Sequence, residues 1–104
     1  MRFLVIAQHP PHLCPTSNKA VRELTKQAGG DMPALAEKLG VKITETYVTY
    51  SNHLVLLAGE ADDMGKVREL LIQGRFVQWN ECEIYETNTL EEALDRVDEH
   101  PAVF

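Results

Sequence analysis

The run FLVIA at residues 3–7 sets apolar side chains at consecutive positions, and LVLLA at 54–58 does the same. A β-strand sends successive side chains to opposite faces, so a strand with one solvated face alternates apolar and polar residues. These two runs do not alternate. They read as strands of a sheet that must be covered on both sides. A chain of 104 residues carries only enough helix to cover one face of such a sheet, so the second face needs another partner.

The remaining elements follow from periodicity and caps. The first strand covers residues 2–8. Thr16 to Asn18 offer N-cap residues for a helix in which Val21, Leu24 and Ala28 recur at helical spacing. Gly29-Gly30-Asp31 is expected to interrupt it, and Asp31 with Pro33 to start a second helical piece over 32–39, capped by Gly40. VKITETYVTY (41–50) alternates as the second strand, Ser51-Asn52-His53 makes a tight turn, and residues 53–60 return as the third. Asp62 or Asp63 caps a helix with Met64, Val67, Leu70 and Leu71 on one face, ending near Gly74. RFVQWNECEIYE (75–86) reads as the fourth strand, with Val77, Trp79 and Tyr85 on one parity and Phe76, Cys82 and Ile84 on the other. Thr89 to Glu92 is a capping box opening a last short helix, its buried stripe formed by Leu90, Ala93, Leu94 and Val97.

The order β-α-β-β-α-β predicts one α+β domain over residues 1–104, of the ferredoxin-like kind: a four-stranded antiparallel sheet, helices on one face, and a short C-terminal helix. A second copy of the chain is the simplest cover for the other face, giving a homodimer or an assembly of dimers. In element order and two-sided strands the chain resembles the dimeric α/β-barrel superfamily, in which two such sheets pack face to face. That superfamily includes cofactor-free monooxygenases, lactone isomerases, haem enzymes and small proteins with no known reaction. The resemblance brings no catalytic pattern to carry onto these residues. It implies either a small cofactor-free enzyme, monooxygenase- or isomerase-like, or a non-catalytic assembly module. The enzyme would use a pocket between sheet and helices, with His9, His53 or Tyr50 as general acid or base; Tyr47 and Tyr50 are candidates to line it.

Charge narrows the partners. Sixteen acids against ten bases give a net charge of −6, and no short window gathers Lys and Arg. Nucleic acid and anionic membrane are therefore not expected as partners. The apolar run at the N-terminus ends by Ala7, too short for a signal-peptide core, and nothing approaches a membrane span. Two cysteines, Cys14 and Cys82, are too few for a disulfide scaffold, so free thiols and a cytoplasmic location are expected.

Chemistry concentrates in QHPPHLCPTSN, residues 8–18. In a ferredoxin-like sheet the first strand ends at the edge where the third begins, so His9 should come near His53, with His12 and Cys14 in the same loop. Pro10 and Pro11 favour a polyproline II path with three residues per turn, which would turn His9 and His12 to the same side. Imidazole and thiolate together suit a transition metal ion (zinc, copper, nickel or ferrous iron), and the ligand set is His9, His12, Cys14 and His53. Two other readings stand beside it. The histidines can be strand-end residues bonded to backbone carbonyls, with Cys14 a small buried hydrophobe. Alternatively Cys14, just ahead of a helix, is a reactive thiol, or the loop borders a pocket for a small organic ligand. The expected function is a small homodimer that binds a transition metal or a small-molecule ligand at the end of strand one.

Overall fold

The computed structural model describes residues 1–104. Its strands are β1 (Arg2–Gln8), β2 (Lys42–Val48), β3 (Leu54–Glu60) and β4 (Glu81–Thr87), and its helices α1 (Lys19–Leu39), α2 (Met64–Gln73) and α3 (Leu90–Asp95). The strands pair antiparallel in the order β2-β3-β1-β4. This is the α+β, ferredoxin-like arrangement.

Alternation decides which side is the core. Phe3, Val5 and Ala7 of β1 and Val55 and Leu57 of β3 are buried, and they pack with Val21 and Ala36 of α1 and Val67, Leu70 and Leu71 of α2. Leu4, Ile6, Leu54, Leu56 and Ala58 have the opposite parity and are only partly buried. No helix covers them. Two cross-strand rows run over this open face, Tyr47–Leu56–Ile6–Glu83 and Glu45–Ala58–Leu4–Tyr85. On each outer strand the tyrosine hydroxyl donates to the neighbouring glutamate, Tyr47 to Glu45 and Tyr85 to Glu83.

Caps hold the helices where the sequence places them. Asn18 accepts from Val21 N, Asp63 from Lys66 N and Thr89 from Glu92 N, each satisfying a donor that the first helical turn leaves free. Gly40 ends α1 with φ of 72°, a left-handed C-cap. Gly59 sits where β2 slips its register between Ile43 and Glu45. A Cβ there would lie 1.9 Å from the Lys42 carbonyl oxygen, so β2 can approach β3 at this bulge only because residue 59 has no side chain.

Three expectations are corrected. The glycine pair does not break the first helix: α1 is continuous for 21 residues, with Gly29, Gly30 and Pro33 inside it. Burial of Val21 and Ala36, with Leu24, Met32, Leu35 and Leu39 packed alongside, holds the helix across a stretch of poor propensity. The fourth strand begins later than read. Arg75 takes a left-handed φ of 62°, and Phe76–Gln78 form a 3-10 turn, so Trp79 belongs to the core ahead of β4 rather than to a strand, and Val77 is off the sheet. Finally, the stripe on α3 is not buried. Leu90 is 76% exposed, Leu94 60% and Val97 61%. The segment extends from the body, and the radius of gyration of 16.1 Å exceeds the ~13 Å of a compact chain of this length.

Candidate metal centre

Three strand ends meet beyond Gln8. The antiparallel ladders pair Gln8 with Leu54 and with Glu81, so His9, His53 and Asn80, each one residue outside its strand, are neighbours by register. The backbone confirms it: His9 N–H donates to the His53 carbonyl at 3.1 Å. His53 itself sits at φ of 56°, a left-handed backbone that only the surrounding turn holds in place for a non-glycine residue. The two imidazole rings lie 5.3 Å apart, edge to face.

Cys14 arrives from the loop. Pro11 starts a 3-10 turn over Pro11–Leu13, and Cys14 N–H closes it by donating to the Pro11 carbonyl, while the Cys14 carbonyl accepts from Ser17 and Asn18. The Arg22 guanidinium ties the following residues down through the Pro15 and Thr16 carbonyls. The result is a buried Sγ beside the two imidazoles. One side-chain donor atom each from His9, Cys14 and His53 lies within 4.8 Å of the others. Around a zinc ion, with bonds of about 2.0 Å to nitrogen and 2.3 Å to sulfur, the donors would stand roughly 3.3–3.6 Å apart. Closing that gap takes side-chain shifts of about 1 Å.

The decisive detail is the state of His9. Asn80 Nδ2 donates to the Phe76 carbonyl at 3.2 Å, which orients the amide and leaves Oδ1 facing His9 Nδ1 at 3.0 Å. An amide oxygen only accepts, so Nδ1 is the donor, and in the neutral ring that leaves Nε2 with the lone pair. That Nε2 is fully buried and has no hydrogen-bond partner. An unpartnered buried polar atom costs about 1–3 kcal/mol, and a neutral imidazole oriented by an amide or carbonyl on its other nitrogen is how proteins present histidine to a metal. Trp79 covers the ring at 5.1 Å, excluding water from that side. Thr16 Oγ1 is 3.0 Å from Cys14 Sγ, placed to donate to a thiolate.

His12 is the one sequence-nominated residue that stays outside. A 3-10 turn takes the place of the polyproline path expected from Pro10-Pro11; His12 is exposed and is absent from the group. Nor does Cys14 sit at the start of α1, whose N-cap is Asn18. Asn80, Trp79 and Thr16 are the residues sequence reading missed in this role. With strand four read from residue 75, Asn80 fell in mid-strand and carried no signal of its own. Cys82, the second free thiol, is half-buried, and burial pushes its pKa up.

A separate cavity of about 790 Å³ lies between α1, β2 and the turn before β4, walled by Met32, Pro33, Ala36, Ile43, Phe76 and Trp79 among others. His9, His53 and Tyr50 are not part of its lining. Tyr47 stands on the open sheet face and Tyr50 is 96% exposed, so neither lines a pocket between sheet and helices.

No protein-family model and no curated protein matches the chain. Among solved structures, the crystal structure of protein Atu4242 from Agrobacterium tumefaciens is similar, with a TM-score of 0.49 and 9% identity over 86% of this chain and 96% of that one. A likeness at that level transfers no residue and no activity. No helix is long and apolar enough to cross a membrane.

Proposed function

We propose that this chain is a cytoplasmic, homodimeric transition-metal-binding protein that holds one zinc or copper ion between His9, Cys14 and His53. The observation that carries the reading is the buried, unpartnered Nε2 of His9, on a ring whose Nδ1 is engaged by Asn80 and which stands beside a thiol and a second imidazole. Two nitrogens and one sulfur are the donor set of the zinc–copper end of the series, not of magnesium or calcium. Three protein donors leave a coordination position for water or a small ligand, as open zinc sites do. A reducing compartment keeps Cys14 free to ligate. The uncovered apolar sheet face supports the homodimer.

The test is metal analysis of protein purified without a histidine tag, followed by competition titration against a chromophoric chelator. One equivalent of metal is expected. His9→Ala, Cys14→Ser and His53→Ala should each abolish tight binding, and His12→Ala should leave it unchanged. Cobalt loading should give a thiolate-to-cobalt absorption band that Cys14→Ser removes. Absence of stoichiometric binding of zinc, copper or cobalt overturns the reading.

A further inference from the structure

The stretch after β4 has an apolar stripe with nothing of its own chain to bury it. Leu90, Leu94 and Val97 recur at helical spacing and are all more than half exposed, and the only sizeable packing of α3 is onto the 3-10 turn that follows it. Its position is nonetheless defined. Arg2 alternates with Phe3 and Val5, which places it on the open face beside Leu4 and Ile6, and Arg2 Nε reaches Glu92 Oε1 at 3.5 Å. The salt bridge thus ties α3 beside the open sheet face, at the end opposite the metal centre, and because Glu92 lies across the helix from Leu90 and Leu94, the stripe is turned away from Arg2.

We infer that residues 88–104 form an arm that clasps a second copy of this chain seated on the open sheet face. This rests on the homodimer reading above and adds the arm to its interface. The area argument requires more than the sheet. Four strands of seven residues each make a flat footprint of roughly 19 by 23 Å, about 440 Å². Stable interfaces bury about 800 Å² per partner. The arm borders that footprint and supplies apolar surface at its rim, where a second copy resting on Leu4, Ile6 and Leu56 would meet it. Exchange of arms between two copies is the arrangement two-fold symmetry imposes, since each copy gives the same stripe that it receives.

The experiment uses the full chain. Light scattering over a dilution series should give twice the chain mass for the wild type, and Leu94→Glu should raise the dimer dissociation constant at least about ten-fold, the loss expected when a buried leucine becomes a charge. Because Leu94 is 60% exposed and outside the core cluster, the variant's monomer should keep the wild-type thermal melt on dilution. An isotope-filtered NMR experiment on a mixture of labelled and unlabelled wild-type protein should show Leu90 and Leu94 methyl contacts between chains. A dimer that survives Leu94→Glu undiminished, or methyl contacts found only within one chain, overturns the arm and leaves the homodimer standing. A wild-type protein that is monomeric at every concentration overturns the homodimer itself and the arm with it.

Discussion

Asn80 shows how much one residue outside the proposed ligand set contributes. Its amide is oriented by the Phe76 carbonyl and in turn selects the tautomer of His9. Asn80→Ala should lower metal affinity about 10–100-fold, as loss of an orienting partner does elsewhere, while leaving the stoichiometry at one; chelator competition measures it. Affinity should also fall as pH is lowered, since protons compete for the two imidazoles and the thiolate. The tyrosines titrate at the other extreme. The hydrogen bonds to Glu45 and Glu83, and then the charges of those carboxylates, hold Tyr47 and Tyr85 above the ordinary value of 10.0. The stabilisation belongs to the protonated hydroxyl, so it is fully present below pH 10 and is lost as pH rises through the raised value. An ultraviolet titration should show these two phenols ionising late, and Glu45→Gln with Glu83→Gln should bring them back towards 10.

At the scale of elements, two kinds of glycine have opposite consequences. Gly29 and Gly30 lie inside α1, and nothing stands within 4 Å of where a Cβ would be. Replacing either by alanine should stabilise the protein by about 0.5–1 kcal/mol, read as an increase in denaturation midpoint, because the unfolded chain loses freedom that the helix never uses. Gly59→Ala should do the reverse. Its Cβ would collide with the Lys42 carbonyl, forcing β2 away at the bulge, at a cost of about 1–3 kcal/mol. In the sequence only Gly29 and Gly30 read as a break; Gly59 reads as an ordinary position of the third strand. The caps at Asp63, Thr89 and Gly40 were legible because each acts on the next few residues only. The continuity of α1 was not, because it depends on burial against β1, β3 and α2, which lie elsewhere in the chain.

For the whole molecule, the two parities of β1 separate stability from the proposed assembly. Val5 is fully buried on the helix side, so Val5→Glu should unfold the protein, as an uncompensated core charge does. Ile6→Glu, one residue on, faces the open side and should give a folded monomer by light scattering and circular dichroism; a dimer that persists in Ile6→Glu counts against the sheet face as its interface. The sequence by itself determined the element order, the antiparallel ferredoxin-like sheet, the two-sided apolar strands and the meeting of His9 with His53, since strand order and antiparallel pairing follow from local pattern and chirality. Only the tertiary structure decided which parity is core, that a 3-10 turn brings Cys14 in and leaves His12 out, and that Asn80 and Trp79 complete the centre. It also decided that α3 is left without a partner in its own chain. These outcomes turn on contacts between residues up to 71 positions apart, as for His9 and Asn80, and local periodicity holds no record of such distances.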